Sequence, residues 1–207
     1  MESYNTMENF FKIRADKQDH IVNAGFLVFG KQGYRKASMA DIAKKAGTTK
    51  GMITYYFGSK KTLYLYLVDL IQTGFAAAAK ERLILYKTDF FEKLEIAVEL
   101  QTSAIKTYPA LISFVGSVYR EADPEVAEHV KKFFVEELAT FNSMLVENTD
   151  FSKFADGLDP QLICKFLGWA TSGFVDSLCD TGGADDIDAL AAEFNQCLDL
   201  MRKTFYK

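Results

Sequence analysis

The sequence predicts an all-α protein of about nine helices. The 207 residues hold 18 Phe and 10 Tyr but only 3 Pro and 13 Gly, which indicates long aromatic-rich helices rather than a sheet with many turns. Apolar residues also recur at helical spacing along most of the chain. This length allows one sizeable core, or a small module fused to a larger one.

A longer helix and two short ones are predicted near the N-terminus. Apolar spacing places the longer helix over about residues 12–31, and the short helices follow at about 38–46 and 49–56. Residues suited to start or stop these helices stand at each boundary: Gly33, Ser38, Gly47, Thr48 or Thr49, Gly58 and Ser59.

Helical spacing continues to the C-terminus. A long helix is predicted from Ser59 to about Tyr86. Pro109, Pro124 and Pro160 suit first-turn positions, where a missing N–H costs nothing. The later helices are predicted over about residues 89–107, 109–121, 124–147, 160–179 and 186–205, with loops at 148–159 and 179–186.

Charge is unevenly distributed along the chain. Residues 12–61 carry eleven Lys or Arg against three Asp, although the whole protein has a formal net charge of −4. The remainder carries thirteen basic residues against twenty-five acidic ones. This asymmetry indicates a basic N-terminal module that meets a polyanion, although a solvated basic face is the alternative interpretation.

The two short helices have the spacing of a helix-turn-helix, in which the second helix lies in the DNA major groove. Such a helix needs small or polar outward residues, because bulky apolar ones would hold it away from the base edges. Helical spacing places Ile53 and Phe57 inward. The outward residues are Lys50, Gly51, Thr54 and Tyr55.

The stretch "SMADIAKKAGTTKGMITYYFGSKKTLYLYL" resembles the DNA-binding region of the TetR family of one-component transcriptional repressors. The resemblance covers about residues 15–70. One departure leaves the base preference open, because Thr54 stands where the family usually has a tyrosine. The matching residues are Asp41, Ile42, Ala43, Ala46, Gly47, Gly51, Tyr56, Phe57, Ser59, Lys60 and Leu63.

The resemblance and the helical spacing together predict a set of DNA-binding residues on and beside the two short helices. Lys60 and the other lysines at helix ends are expected to meet phosphates, and Tyr56 is expected to hydrogen-bond the backbone. The complete set is Ser38, Ala40, Thr49, Lys50, Gly51, Thr54, Tyr55, Tyr56 and Lys60.

The resemblance implies a DNA-binding domain over residues 1–58 and a helical ligand-binding and dimerisation domain over residues 59–207. The predicted helix at 160–179 has only Lys165 as a charged residue over its first sixteen positions, so it is expected to be buried on more than one side. With the helix at 186–205 it could form a four-helix interface in a homodimer. Alternatively, both helices bury into their own core.

The aromatic content of residues 75–180 exceeds what a small DNA-binding module needs. Polar residues such as Gln72, Gln101, Asn142 and Thr171 interrupt the apolar runs, as the lining of a small-molecule pocket would. We therefore expect a largely apolar organic ligand that releases a repressor from a palindromic operator. The predicted lining residues are Phe114, Tyr119, Phe141 and Trp169.

Several other classes of protein are disfavoured. Only His20 and His129 are present and no nucleophile motif or phosphate loop accompanies them, so no enzyme is expected. The three cysteines lack metal-binding spacing, so no metal or cofactor is expected. Without a recognisable signal peptide or a run of 18 uncharged apolar residues, a cytoplasmic protein is expected. An activator, a ligand-independent regulator and a pure oligomerisation or adaptor protein stay as alternatives.

Overall fold

The computed structural model describes residues 7–82, 84–180 and 186–207, and within α9 it does not describe the side chains at 171, 172 and 174–180. The predicted polar residue Thr171 and most of the predicted loop at 179–186 therefore lie outside the described part. The α-helices are α1 Glu8–Phe11, α2 Ala15–Lys36, α3 Met39–Lys45, α4 Lys50–Phe57, α5 Lys60–Glu81, α6 Phe90–Thr107, α7 Leu111–Tyr119, α8 Ala127–Val146, α9 Pro160–Asp180 and α10 Ile187–Phe205.

The all-α prediction is confirmed, and the nine predicted helices correspond to α2–α10. The four-residue helix α1 is additional. Pro160 is the first residue of α9, as predicted, whereas Pro109 and Pro124 stand in turns just before α7 and α8. Their fixed φ suits such turns as well as a first helical turn.

The predicted caps form at the two short helices. The Ser38 hydroxyl accepts from the Asp41 N–H at 3.1 Å, and the Thr49 hydroxyl accepts from the Met52 N–H at 3.2 Å. Gly47 and Gly58 follow α3 and α4 with φ of 66° and 71°. Only glycine adopts this region freely, so the sequence stops both helices where the spacing predicted.

The chain divides into two compact units. Unit 1 is Met1–Ile71 with Tyr108–Phe133, and unit 2 is Gln72–Thr107 with Phe134–Lys207. Both α5 and α8 contribute residues to each unit. This division concerns packing alone, so the functional boundary between residues 58 and 59 stays a prediction.

Unit 1 has an aromatic core where α2 packs on α5 and α7. The Phe114 ring lies 4.9 Å from Phe26 and 5.7 Å from Tyr64, and Tyr64 lies 5.0 Å from Phe29. The backbones of α2 and α7 nearly touch, because a Cβ built on Gly30 would lie 2.9 Å from the backbone nitrogen of Phe114. Glycine at position 30 therefore permits this helix pair to form.

Unit 2 has a second core, in which Phe90 and Phe91 pack with Phe154 from the loop before α9. One lysine is fully buried beside it. Lys93 Nζ donates to the Met144 carbonyl at 3.0 Å, to the Thr149 hydroxyl at 2.9 Å and to the Glu147 carbonyl. The cation thus binds acceptors at the C-terminal end of α8, where helix carbonyls lack partners within the helix.

Helix α5 is long and apolar enough to cross a membrane by length and composition. Its first half, however, carries side chains of the unit 1 core, since Leu63, Tyr64, Leu67 and Val68 are fully buried. A core helix of a soluble protein passes the same test, so the helix is weak support for a membrane span.

Candidate nucleic-acid interface

Helices α3 and α4 pack on each other around a tight turn. The Thr48 N–H donates to the Ala43 carbonyl at 2.9 Å, which closes the end of α3. From α4, Ile53 and Phe57 are buried with exposed fractions of 0% and 1%, as their spacing predicted. Buried Ile42 on α3 completes this support, so the pair has the helix-turn-helix arrangement.

The outer side of α4 carries an exposed set of side chains, which we term the recognition face: Lys50, Gly51, Met52, Thr54 and Tyr55. Four of its members are the predicted outward residues. Tyr55 has 58% of its surface exposed, although a tyrosine usually buries its ring. Met52, which is 39% exposed, was missed because its apolar side chain resembles an inward residue.

The remaining predicted residues of α3 and α4 are divided between cap, surface and interior. Ser38 and Thr49 cap the two helices, and Ala40 is exposed on α3. Tyr56 lies on the inner side of α4 with 7% of its surface exposed. Its ring stands 6.1 Å from that of Phe10 in edge-to-face geometry. Its DNA contact and its backbone hydrogen bond both stay predictions.

Lys60 has protein partners in this structure. Its ammonium donates to the Tyr34 carbonyl at 2.8 Å and to the Arg35 carbonyl at 3.3 Å, and it lies 4.4 Å from the centre of the Tyr34 ring. The predicted phosphate contact of Lys60 is therefore in competition with two backbone acceptors. Its neighbour Lys61 is exposed.

Exposed basic side chains precede the recognition face in the sequence. Lys44 and Lys45 in the last turn of α3, and Arg35 and Lys36 in the last turn of α2, are all exposed. Exposed cations attract the phosphate backbone without reading sequence. Their exposure makes these four residues further candidates for phosphate contacts, which the charge count indicated only collectively.

Helix α1 packs on α4 and was not predicted from the sequence. Phe10 is completely buried, and its ring lies 4.8 Å from Phe57 and 5.6 Å from Tyr66 of α5. Met7 is buried as well, with an exposed fraction of 3%. A four-residue helix shows no periodicity, and two consecutive Phe residues were the sole available clue.

The four predicted ligand-lining residues have different environments. Phe114 is fully buried in the core of unit 1, and Tyr119 ends α7 in the same unit with 45% exposure. In unit 2, Phe141 packs partly buried against the core, whereas Trp169 is 70% exposed on α9. The lining role of all four stays a prediction.

A cavity of about 440 Å³ in unit 2 is charged rather than apolar. Asp89, Glu92, Lys153, Arg202 and Tyr206 line it. Lys153 binds Asp89 at 2.8 Å. Although burial opposes ionisation, this ammonium and the neighbouring N–H and hydroxyl donors hold the pKa of Asp89 below its ordinary value. Paired charges of this kind do not form the apolar lining that the predicted ligand needs.

The outer side of α9 is apolar and exposed. Leu162, Phe166 and Trp169, spaced by four and three residues, have exposed fractions of 59%, 52% and 70%, whereas Ile163 and Leu167 face the unit 2 core. On α10, Leu200 is 67% exposed. Among the described side chains of α9, one side is buried within this chain and the other is exposed, so burial on more than one side stays a prediction that a partner chain would have to complete.

Neither a metal site nor a catalytic histidine has support among the described residues. In the described part of the chain, no group of three or more His, Cys, Asp or Glu side chains could hold a metal ion. His129 Nε2 lies 2.7 Å from Asp69 Oδ1, with both side chains partly exposed. The pair joins α8 to α5 within unit 1, which is a structural contact.

Known proteins share both the sequence pattern and the fold. The sequence profile described as "Bacterial regulatory proteins, tetR family" matches residues 21–67. YvdT, an uncharacterized HTH-type transcriptional regulator of Bacillus subtilis (strain 168), is 34% identical over 88 residues. The aligned residues are 42% of this chain and 45% of YvdT, so the match spans less than half of that relative.

Two solved structures match most of the chain. The fatty acid degradation regulator FadR of Bacillus halodurans has a TM-score of 0.68 at 24% identity, covering 87% of this chain and 96% of that one. FadR of Bacillus subtilis in complex with stearoyl-CoA has a TM-score of 0.66 at 22% identity, covering 87% and 95%. Both structures are described as regulators. Residues 21–67 thus match the TetR family of bacterial regulatory proteins, and the chain shares its fold with solved structures of regulators.

Proposed function

We propose that this protein is a ligand-responsive DNA-binding transcriptional regulator, a repressor that a largely apolar small molecule releases from a palindromic operator. The observation that carries the proposal is the recognition face, an exposed and mainly polar helix surface whose opposite side is buried. The match of residues 21–67 to the TetR-family profile supports the same function. A regulator of this kind works in the cytoplasm, where its operator is.

DNA reading is assigned to α4. Lys50 and Thr54 lie one turn apart on the recognition face, where an ammonium can reach guanine acceptors and a Thr can contact a base edge or a thymine methyl. Tyr55 adds a phenol beside them. Lys44 and Lys45 of α3 and Lys61 of α5 are exposed, and we assign them to phosphates, while the base contacts set the sequence preference.

The active form is proposed to be a homodimer joined through α9 and α10, near residues 160–179 and 186–205. The support is the exposed apolar side of α9, because a monomer in water rarely leaves Leu162, Phe166 and Trp169 open together. A two-fold dimer carries two recognition faces, so its operator is an inverted repeat with half-sites about one helical turn apart or somewhat more.

The effector is proposed to be a molecule with a long apolar part. One relative of similar fold was solved in complex with stearoyl-CoA, which supports the class without identifying the ligand. Phe114, Tyr119, Phe141 and Trp169 stay the proposed lining residues. For release, the ligand must favour the dimer state with the weaker DNA affinity, and operator DNA must then weaken ligand binding by the same factor.

The test is a titration of the operator complex. A fluorescent duplex selected from a random pool is bound by the protein, and long-chain acyl-CoA, free fatty acid or free CoA is added. Anisotropy should fall with the acyl ligands, with a coupling of about 1–3 kcal/mol, and should not fall with free CoA. Indifference of the complex to every acyl compound would leave a ligand-independent regulator.

An activator is the alternative within the same class. A reporter gene behind the selected site distinguishes the two functions in a strain that either contains or lacks this protein. Loss of the protein should raise expression if it represses. Reduced expression on loss of the protein would show an activator.

A further inference from the structure

The regular dihedrals of α2 are broken three residues before its end. Gly33 has φ 69° and ψ 171°, so the residues Tyr34–Lys36 form a separate single turn that leads to α3. The start of a helical segment leaves N–H groups without partners in the helix. The Tyr34 N–H donates to Oε2 of Glu121 at 3.0 Å. A carboxylate from the segment between α7 and α8 thus binds the N-terminal end of this turn.

Glu121 is held in place by its own segment. Its second oxygen, Oε1, accepts from the Ala122 N–H at 3.1 Å and from the Asp123 N–H at 2.9 Å. Helix α7, which precedes it, is tied to α2 where the Ser117 hydroxyl donates to the Phe29 carbonyl at 3.1 Å. The carboxylate is therefore a fixed anchor for the turn.

The other end of the turn binds a cation. Lys60 Nζ donates to the carbonyls of Tyr34 and Arg35, and it also lies over the Tyr34 ring. The carboxylate accepts from a backbone N–H and the ammonium donates to backbone carbonyls, so both contacts are charge-assisted hydrogen bonds. The ring of Tyr34 is 2% exposed and packs on Tyr64 at 5.0 Å, so the turn is also fixed by apolar contacts.

These contacts bracket the helix-turn-helix. Tyr34 and Arg35 stand just before α3, and Lys60 begins α5 just after α4. The bonds from Lys60 therefore join the two chain ends of the segment that carries the recognition face, and Glu121 joins that closure to α7. We propose that Glu121 and Lys60 are positioning residues, which hold the helix-turn-helix in the orientation that reads DNA. This inference rests on the proposed function.

The proposal assigns Lys60 a role different from a phosphate contact, and the two roles differ in their salt dependence. Each neutralised phosphate contributes about 0.9 to the slope of log affinity against log salt concentration. A positioning lysine contributes to affinity at every salt concentration alike. Glu121 distinguishes the roles further, because removing an anion by electrostatics alone would strengthen DNA binding.

The experiment compares Lys60→Met, Glu121→Gln and the double variant on the duplex selected by the wild-type protein. Lys61→Met and Glu128→Gln are matched controls, because both residues are exposed and the two substitutions remove the same charges. Lys60→Met and Glu121→Gln should each weaken DNA binding by about tenfold with an unchanged salt slope. The loss of affinity in the double variant should be at least about threefold smaller than the product of the two single losses. Lys61→Met should lower the slope instead.

Two results on DNA would overturn the proposal: a slope lowered by about 0.9 in Lys60→Met, or unchanged or tighter binding by Glu121→Gln. Amide hydrogen exchange of Tyr34 in the free protein separates this failure from a failure of the proposed function. Exchange should accelerate in Lys60→Met and Glu121→Gln but not in the controls. If the wild type selects no duplex, the proposed function fails, while unchanged Tyr34 exchange in both variants would refute the turn contacts themselves.

Discussion

Removal of the Phe10 ring should destabilise unit 1 and loosen α4. Phe10 has no exposed surface, and its ring lies within 4.8–6.1 Å of Phe57, Tyr66 and Tyr56. Replacing a buried Phe by Ala in a well-packed core costs about 3–5 kcal/mol. Helix α1 has four residues and no side-chain cap, so it cannot stay folded without its contacts to α4 and α5. Because the helix detaches instead of leaving a rigid cavity, the loss of stability should lie near the lower end of this range, at about 3 kcal/mol.

Phe11→Ala is the matched control for this prediction. Phe11 is the next residue in the same helix, but 53% of its surface is exposed, so its replacement should cost no more than about 1 kcal/mol. Urea unfolding followed by far-ultraviolet circular dichroism gives both values. Equal losses for the two variants, or a loss below about 1 kcal/mol for Phe10→Ala, would refute the assigned role of α1.

Three further predictions follow from single positions. Gly30→Ala should lower the thermal midpoint, because its Cβ would lie 2.9 Å from the α7 backbone, whereas Gly74→Ala, with open space around the new Cβ, should not. Burial raises the pKa of Glu137 to about 7, so between about pH 4.5 and 7 the native state keeps a proton that the unfolded state loses, and the stability of the wild type falls as pH rises through that window. Glu137→Gln cannot ionise there. In urea titrations it should therefore be more stable than the wild type by about 2 kcal/mol at pH 8 and differ little from it at pH 4.5. Thr54→Ala should change the preferred base at one position of each half-site in competition binding, by about 1–3 kcal/mol, while Lys61→Ala, at an exposed proposed phosphate contact, should leave base preference unchanged.

Helix positions followed from the sequence because local signals agreed there. Gly47 and Gly58 required positive φ, while Ser38 and Thr49 had N–H groups to cap within three residues. Each of these interactions is complete within a few residues, so spacing alone was sufficient. The inward positions of Ile53 and Phe57 on α4 followed from the same periodicity.

Contacts between distant parts of the chain were not predictable in this way. Lys60 binds carbonyls 25 and 26 residues away, and Glu121 binds an N–H 87 residues away. Both residue types are normally solvated, so a charge count treats them as surface. Lys93 is the extreme case, since it is buried in unit 2 with acceptors more than 50 residues away.

Aromatic composition alone does not distinguish a pocket from a core. A Phe in a core and a Phe lining a ligand have the same spacing in sequence, and burial alone separates Phe114 from exposed Trp169. The exposure of Trp169 and Phe166 supports the proposed surface for a second chain. The sequence contained the apolar residues but not the division between interior and interface.

Selection from a pool of random duplexes tests the central claim most directly. The full chain is incubated with the pool at near-physiological salt, and bound duplexes are amplified and sequenced over several rounds. The recognition face on a two-fold dimer predicts enrichment of an inverted repeat, and loss of that enrichment when Lys50 and Thr54 are both replaced by Ala. No enrichment by the wild-type protein, or the same repeat selected by the double variant, would contradict the assignment of α4 as the element that reads DNA.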